Sequence, residues 1–550
     1  MPLVHYSDKR LIVLVLVFFF LVNVLSSGGH TDWWDGTEAF LVTESMVLRH
    51  TAKLDPTVPS VKELRFNVNY TVYANIGLQT GEYTSLENVT LQPVYTVRSL
   101  LLSAAAVPFY YIATILSVSP FVTIGLLFNS LIISLTAVTI FCIILEVKNS
   151  RRIAFISSII FAVCTFVWPH NSTFWVQPLQ GLLLAVTLFL LLIGRHSNHS
   201  FLCHYTSPGT KHVGILGGLA GFTLGLSVLA HPTTLIFIPV FLLYSYFVVM
   251  RHRKLAFVTM IASLGVVLLF VGIINHARFG SFTEFGYGYF STLEAHNGWR
   301  GLIGLLVSPG AGLIFYFPLA ILVPLGAKYM YKENKALFFL CLYIIVSTWI
   351  YTGTLSSGSE PTSWSGGIAW GPRYLVPTLP FLVIMLAYLF PHLKKRYFLK
   401  LMVIGLCLAG FYVNLSAILI WFHYGLVYAW AMEGLATVPD SLDVITWSTL
   451  YSPIVLHTKA LVSDFVTKIS PQQYLDTAWS WTAYGTAPCR YDLYIYCNFG
   501  NLPFILGVAG LVVISVIISR WVRMFRFVWM NRSLSYFSSI LAIRKIERSR

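Results

Sequence analysis

The chain has 550 residues, of which 57% are hydrophobic and 10% are charged, and its formal net charge is +15. About 25% of the residues of a typical soluble domain are charged, so this composition excludes a soluble globular protein and indicates a polytopic membrane protein. The positive charge does not indicate a nucleic-acid partner, because the basic residues form short clusters between apolar runs, as the positive-inside rule expects of cytoplasmic loops.

The chain begins with an apolar run, Leu11 to Leu25, which follows the basic residues Lys9 and Arg10. Because no clear cleavage site of small residues follows, we read this run as a retained first helix with the N-terminus inside. Residues 28–95 then form a polar outer loop. The next apolar run, about 96–118, is predicted to lie along the outer membrane surface, since counting it as a span would place every later basic cluster outside.

Apolar spans and polar loops alternate through the rest of the chain. The predicted spans are 121–146, 153–168, 175–194, 213–230, 233–250, 255–275, 311–328, 335–352, 374–391, 398–421 and 502–520. With the first helix they make twelve, each near the roughly 20 residues that a bilayer requires. The sequence therefore predicts an all-α polytopic membrane protein. Its transmembrane module covers 1–421, an outer loop covers 422–501, and a last helix with a basic cytoplasmic tail covers 502–550.

Acidic residues are concentrated directly after the first helix. The stretch from Gly28 to Ser45 contains Asp32, Asp35, Glu38 and Glu44, although the whole chain has only 21 acidic residues. Carboxylates at a membrane surface are costly to desolvate. On a helix beginning near Asp35, Glu38 would lie one turn on and on the same face, where the pair would serve to bind a cation or to supply a general base. The alternative is a capping box, in which the two side chains only close the start of the helix.

Two later outer segments, Asn275 to Gly312 and Trp364 to Pro380, combine aromatic residues, glycines and a few charges. The residues expected to line a substrate pocket are Glu284, Tyr287, His296, Trp364, Trp370 and, from a third segment, His231. His231 is either a structural histidine or a cationic contact. Arg373 lies at the outer mouth of a span, where a guanidinium binds a phosphate bidentately or, in the alternative, anchors the helix within an aromatic belt.

Three patches of sequence resemble the GT-C superfamily of integral-membrane glycosyltransferases, and in particular the prokaryotic group similar to dolichyl-phosphate-mannose protein mannosyltransferases. They are RFGSFTEFGY from Arg278, GLIGLLVSPGAGLIFYFP from Gly301, and GGIAWGPRYLVPTLP from Gly366. The resemblance implies a bundle of about twelve transmembrane helices with outer surface helices. It also implies an inverting transfer of a sugar from a polyprenyl-phosphate donor to a hydroxyl of a glycan, lipid or protein at the outer face.

The same resemblance assigns roles to individual residues. An aspartate of the first outer loop acts as the base, which points to Asp35, with Asp32 and Glu38 as the alternatives. Arg373, Arg300 and Tyr374 are expected at the donor phosphate. A divalent metal is permitted but not required. The resemblance favours a prokaryotic cell membrane with both termini cytoplasmic, and the endoplasmic reticulum is the alternative.

Two other function classes compete with this interpretation. A transporter or flippase of a lipid-linked sugar would carry charged residues or interrupted helices near the bilayer midplane. A non-catalytic assembly protein derived from such an enzyme would tolerate loss of Asp35. No Walker A, GxGxxG, HExxH or GxSxG motif occurs, so nucleotide, zincin and serine-hydrolase chemistry are not indicated. Cys489 and Cys497 share one polar outer loop and are a candidate disulfide.

Overall fold

A computed structural model describes residues 6–31, 35–54, 95–195, 210–250, 254–286, 298–355, 363–367, 369–421, 441–462 and 491–521. The regular elements in these ranges are helices, and no β-strand occurs among them. This confirms the predicted all-α architecture for the part of the chain that is described.

The α-helices are named here in chain order. They are α1 (Tyr6–Leu25), α2 (Asp35–Leu48), α3 (Leu100–Ile115), α4 (Pro120–Lys148), α5 (Arg151–Cys164), α6 (Val176–Arg195), α7 (Thr210–Ala230), α8 (Ile238–Tyr244), α9 (Lys254–Phe279), α10 (Gly298–Val307), α11 (Leu313–Tyr316), α12 (Val323–Glu333), α13 (Lys335–Gly353), α14 (Leu379–Ala387), α15 (Tyr397–Leu419), α16 (Ser441–Trp447), α17 (Pro453–Val462), α18 (Tyr494–Phe499) and α19 (Asn501–Trp521). Short 3₁₀ turns join several of them, at Trp168–Ser172, Pro232–Phe237, Pro318–Leu322, Ser363–Ser365, Arg373–Thr378 and Phe390–Lys395, and Ser245–Met250 is π-helical.

Seven helices of the described ranges are long and apolar enough to cross a membrane, namely α4, α6, α7, α9, α13, α15 and α19. They coincide with seven of the twelve predicted spans, and the protein is therefore a membrane protein. The predicted span 311–328 is not one helix in the structure, since α11 ends at Tyr316 and α12 begins at Val323. Pro318 and Pro324 explain the break, because proline lacks the N–H that a continuous helix requires.

Helix α4 forms the centre of the bundle, with contacts to α1, α5 and α6. Its buried Asn129 donates two hydrogen bonds from Nδ2, to the carbonyl of Thr173 at 2.7 Å and to that of His170 at 3.2 Å. These bonds satisfy the backbone where the chain turns between α5 and α6. They thereby fix the place at which α6 begins.

Two helices outside the long apolar set, α2 and α3, pack against each other, and α3 also packs against α4. Ser103 donates to the carbonyl of Ala39 at 2.9 Å, and Thr43 donates to the carbonyl of Ser103 at 3.1 Å. The α2 helix starts at Asp35, as the acidic pattern predicts, and α3 lies within the predicted surface helix 96–118. The hydroxyl bonds hold the start of α2 at a fixed distance from the segment that precedes α3.

The link between α1 and α2 is held by the segment around the start of α18. His30 Nε2 lies 2.9 Å from the Asp492 carboxylate, and the Tyr494 N–H donates to the carbonyl of Ser27 at 2.9 Å. Both contacts join residues that are more than 450 positions apart in sequence. The acidic segment is therefore anchored on both sides, by α3 and by the segment around α18.

Candidate active site

Asp35, the first residue of α2, lies between two arginines. Its Oδ1 is 2.9 Å from Nη2 of Arg98, and its Oδ2 is 3.1 Å from Nη1 of Arg373. Arg98 stands just before α3 and Arg373 opens a 3₁₀ turn that leads into α14. Three separate elements thus bring one carboxylate and two guanidinium groups together.

The Arg373 guanidinium is held by aromatic rings as well as by charge. Its Cζ lies 4.7 Å from the ring centre of Trp175 and 5.2 Å from that of Tyr374. Cation–π contacts of this kind stabilise a guanidinium that is partly removed from water. Only 14% of the Arg373 side chain is exposed, so its charge acts on the site rather than on the solvent.

Gly366 leaves the space that the Arg373 side chain occupies. The residue has φ +88°, and a Cβ placed on it would lie 2.7 Å from Cγ of Arg373. Gly367 has a similar φ of +72° but no atom within 4 Å of its would-be Cβ. The first glycine of the GGIAWGPRYL motif is therefore required for two reasons: its backbone adopts a positive φ, and a side chain there would collide with Arg373. The second glycine is required only because its backbone adopts a positive φ.

This pair of glycines gives a matched test. Both Gly366→Ala and Gly367→Ala are expected to destabilise the fold by about 1 kcal/mol because alanine disfavours a positive φ. Only Gly366→Ala should also displace Arg373, so we expect it to weaken phosphate binding severalfold more than Gly367→Ala does. Thermal unfolding and titration with a polyprenyl phosphate measure the two effects. Equal phosphate affinities in the two variants would contradict the assignment of Gly366.

A cavity of about 60 Å³ opens beside these groups. It is lined by Asp35, Ala39, Arg98, Ser99, Leu102, Phe174, Trp175, Val176, Gln177, His231, Arg373 and Tyr374. By this measure the cavity has room for a few water-sized groups, so it admits the polar groups at one end of a ligand and not a whole ligand. The charged lining favours groups that are anionic or form strong hydrogen bonds.

The two carboxylates of α2 have different electrostatic environments. Burial by itself raises the pKa of Asp35, but the charges of Arg98 and Arg373 outweigh it and leave that pKa below its ordinary value. Glu38 is 6% exposed, and its Oε2 accepts from Nε of Arg98 at 2.7 Å. Here burial outweighs the attraction of Arg98, and the pKa of Glu38 is raised. Asp35 is thus the firmly ionised carboxylate that faces the cavity, and Glu38 lies behind it.

The raised pKa of Glu38 makes a prediction for stability against pH. The folded chain holds the Glu38 proton to a higher pH than the unfolded chain does, so ionisation of Glu38 costs stability above its folded pKa and costs none well below its ordinary value of 4.5. We therefore expect Glu38→Gln to unfold at a higher temperature than the wild type at pH 8. The difference should shrink towards zero at pH 4. A variant that is less stable than the wild type at pH 8 would contradict this assignment.

His231 caps the turn that follows α7 and lies in the cavity wall. Its Nδ1 accepts from the backbone N–H of Thr233 at 3.4 Å and lies 2.9 Å from the Thr233 hydroxyl. Burial, together with the nearby charge of Arg373, lowers the pKa of His231 to about 4. The ring is therefore neutral at physiological pH and contributes a polar contact, not a positive charge.

Several predicted site residues lie elsewhere in the fold. Arg300 makes a two-oxygen contact with Asp443 at 2.8 Å and does not line the cavity. Trp364 and Trp370 are buried among other aromatic rings, with Trp364 against Trp447 and Trp370 donating to Asn414 Oδ1. Glu284 is exposed and accepts from the N–H of Gly286, which closes a turn.

Four of the predicted residues lie outside the described ranges: Asp32, Tyr287, His296 and Cys489. Cys497 takes part in a disulfide bond, and its pairing with Cys489 stays a prediction. The alternative of Asp32 as base likewise stays a prediction.

The cavity residues that do not figure in the sequence-based site include Arg98, Trp175 and Gln177. Of these three, only Arg98 could have been recognised from the sequence, because it is a charged residue directly before the apolar run of α3. Trp175 and Gln177 lie at the start of an ordinary apolar helix, and nothing in their local pattern distinguishes them. Only the tertiary structure, which brings the start of α6 next to the start of α2, shows that these two residues line the cavity.

The donor set that the described residues place around Asp35 does not fit a divalent metal. Within the described ranges no three His, Cys, Asp or Glu side chains are placed to hold an ion. Asp35 and Glu38 are both engaged by arginine, and two guanidinium groups repel a divalent cation.

No family model and no curated protein matches the chain. Among solved structures, it is similar to ArnT from Cupriavidus metallidurans bound to undecaprenyl phosphate, with a TM-score of 0.47 and 12% identity over 84% of this chain and 81% of that one. It is also similar to the Archaeoglobus fulgidus oligosaccharyltransferase in complex with Zn and sulfate (TM-score 0.47, 13% identity, 80% and 58%). The oligosaccharyltransferase AglB from Archaeoglobus fulgidus, in complex with an inhibitory peptide and a dolichol-phosphate, gives a TM-score of 0.44 at 12% identity, over 82% of this chain and 61% of that one. The chain thus spans about three fifths of the length of the oligosaccharyltransferases that it resembles.

Proposed function

We propose that this protein is a membrane glycosyltransferase that moves a sugar from a polyprenyl-phosphate donor to an acceptor hydroxyl. One observation carries the proposal: an ionised carboxylate, Asp35, shares a small cavity with two arginines where α2 begins. A base beside a paired cationic site is what transfer from a phosphate leaving group requires. The motifs around Gly301 and Gly366 support the same reaction class.

In this proposal Asp35 acts as the general base. It takes the proton of the acceptor hydroxyl as the acceptor oxygen forms its bond to the anomeric carbon of the donor sugar. The bond from that carbon to the phosphate oxygen breaks, and its electron pair leaves with the polyprenyl phosphate. Attack opposite the leaving group inverts the configuration of the sugar.

The two arginines stabilise the departing phosphate. A guanidinium matches the planar, two-oxygen geometry of a phosphate, and Arg373 is oriented for this by Trp175 and Tyr374. The cavity also contains the first two residues of α6, a helix of 20 residues. The partial positive charge at the start of a helix adds to the attraction of an anion there.

Donor binding also strengthens the base. Without a ligand, both arginines hold the Asp35 carboxylate, which lowers its pKa and makes it a weak base. A bound phosphate competes for the same guanidinium N–H groups, so part of their interaction with Asp35 is withdrawn and the pKa of Asp35 rises. The carboxylate is then a better proton acceptor at the moment when the donor is in place.

The prenyl chain requires an apolar surface next to the cavity. Helix α3 begins two residues after Arg98 and exposes Ile112 and Ile115, and Leu116 directly after the helix is also exposed. We infer that the chain lies between α3 and the lipid-facing spans, with its phosphate at the Arg98 end of α3. The acceptor is a hydroxyl of a glycan, lipid or protein that reaches Asp35 from the outer face.

Binding of the lipid phosphate tests the donor class without knowledge of the sugar. Undecaprenyl phosphate, added to the purified full-length chain in nanodiscs, is expected to raise the unfolding temperature. Undecaprenol, which has the same chain but no phosphate, should raise it far less. Equal shifts of the unfolding temperature with the two lipids would show that the protein does not bind the phosphate group and would contradict the proposal.

A further inference from the structure

Gln177 is buried without the hydrogen bonds that its side chain requires. The residue is 6% exposed, and its Oε1 is fully buried with no partner. No contact of the described residues satisfies the carboxamide at either end. A buried amide without hydrogen-bond partners lowers the stability of the folded protein. Its presence here therefore calls for a functional explanation.

A second buried glutamine in the same helix shows that a glutamine in this part of the fold can form hydrogen bonds with the protein. Gln180 lies three residues further along α6 and is also buried, but its Nε2 donates to the hydroxyls of Thr234 at 2.8 Å and Thr233 at 3.0 Å. Gln177 differs because it lines the cavity that contains Asp35, Arg98 and Arg373. The unsatisfied amide therefore belongs to the wall of the space that a ligand enters.

The chemistry of the amide restricts the ligand group. The partnerless atom, Oε1, is an acceptor, so its partner must bring a hydrogen. An ionised phosphate offers none, and the arginines beside Gln177 already provide donors for it. A hydroxyl both donates and accepts, so it satisfies the amide in either orientation of its oxygen and nitrogen.

We propose that Gln177 hydrogen-bonds a hydroxyl of the transferred sugar and selects donors that carry this hydroxyl. The inference rests on the proposed glycosyltransferase function. The sugar is the source of the hydroxyl because its anomeric carbon is bonded to the phosphate that the arginines hold. Its hydroxyls near that carbon thus arrive in the same cavity. The acceptor hydroxyl, in contrast, is the partner of Asp35.

The test compares two ligands on the wild type and on Gln177→Leu, a variant that keeps the volume and removes the amide. One ligand is a polyprenyl phosphate without sugar, and the other is a polyprenyl-phosphate sugar that the wild type binds. We expect the variant to bind the sugar-bearing lipid about tenfold more weakly, the loss typical of one buried hydrogen bond. Its affinity for the sugar-free lipid should stay within about twofold of the wild type.

The unfolding temperature of the ligand-free protein gives an independent readout. Gln177→Leu should match or exceed the wild type, because it removes an unsatisfied buried group. The control Gln180→Leu should be less stable than the wild type, because it breaks two hydrogen bonds. A deoxy donor that lacks the relevant hydroxyl is expected to bind the wild type and Gln177→Leu equally.

The outcomes separate this inference from the proposed function. If the wild type binds neither lipid, the proposed function fails and the inference fails with it. If the wild type binds both and Gln177→Leu loses affinity for both or for neither, only the inference is overturned. An unchanged donor affinity with a raised KM for the acceptor would also overturn it, because the hydroxyl would then belong to the acceptor.

Discussion

Replacement of Asp35 by asparagine is expected to reduce the rate of sugar transfer by about 10²–10⁴-fold, the range that a general base contributes. Asparagine has nearly the same shape but cannot take the acceptor proton. Binding of a polyprenyl phosphate should be retained or tightened in Asp35→Asn, because Arg98 and Arg373 lose a competing carboxylate. Transfer rates and lipid titrations on the same preparation measure both effects.

The matched control for Asp35→Asn is Glu38→Gln, one turn further along α2. Glu38 pairs with Arg98 but does not line the cavity, so its effect on transfer should be much smaller than that of Asp35→Asn. Full transfer by Asp35→Asn would refute the base assignment and leave Asp32 as the next candidate. A loss in Glu38→Gln equal to that in Asp35→Asn would assign the base to the pair and not to one residue.

Loss of the Arg373 guanidinium is expected to have the second large effect. Arg373→Met removes a charge that pairs with Asp35 and, in the proposed mechanism, with the donor phosphate. We expect transfer efficiency to fall by about 10²–10³-fold, as on removal of one transition-state donor. Arg373→Lys keeps the charge but lacks the planar fork and its contacts with Trp175 and Tyr374. It should recover only part of the loss, and most of the remaining defect should appear in kcat.

Arg300→Met is the control for Arg373→Met, because it also removes an arginine that the sequence assigns to the donor phosphate. Arg300 is paired with Asp443 and stacked near Trp447, so its loss should reduce stability more than donor affinity. Undecaprenyl phosphate titrations of both variants decide between the two arginines. A larger loss of phosphate affinity in Arg300→Met than in Arg373→Met would reverse the assignment.

Local sequence patterns predict the elements of this site well. The acidic residues after a membrane-length apolar run place a helix start at Asp35, and the structure begins α2 there. The predicted span 374–391 places Arg373 at the mouth of a helical segment, although this segment begins as a 3₁₀ turn, Arg373–Thr378, and α14 starts only at Leu379. The helix start at Asp35 depends on neighbours in sequence, which is why the sequence alone is sufficient for it.

The partners of these residues are not predictable in the same way. Arg98 and Glu38 are 60 positions apart, and Arg300 and Asp443 are 143 positions apart. An arginine in an outer loop looks the same in sequence whether it meets a phosphate or a distant aspartate, so Arg300 and Arg373 receive equal roles. Tertiary packing of α2, α3 and α6 decides which arginines and which glutamine face the cavity.

The most direct test of the proposed function is sugar transfer by the purified wild-type chain in nanodiscs. A panel of polyprenyl-phosphate sugars would be offered beside the corresponding nucleotide sugars, with glycan, lipid and peptide acceptors. We expect transfer from at least one lipid-linked donor, with inversion at the anomeric carbon and release of polyprenyl phosphate, and none from the nucleotide sugars. Turnover with nucleotide sugars, or movement of the intact lipid-linked sugar across the bilayer without transfer, would contradict the proposal.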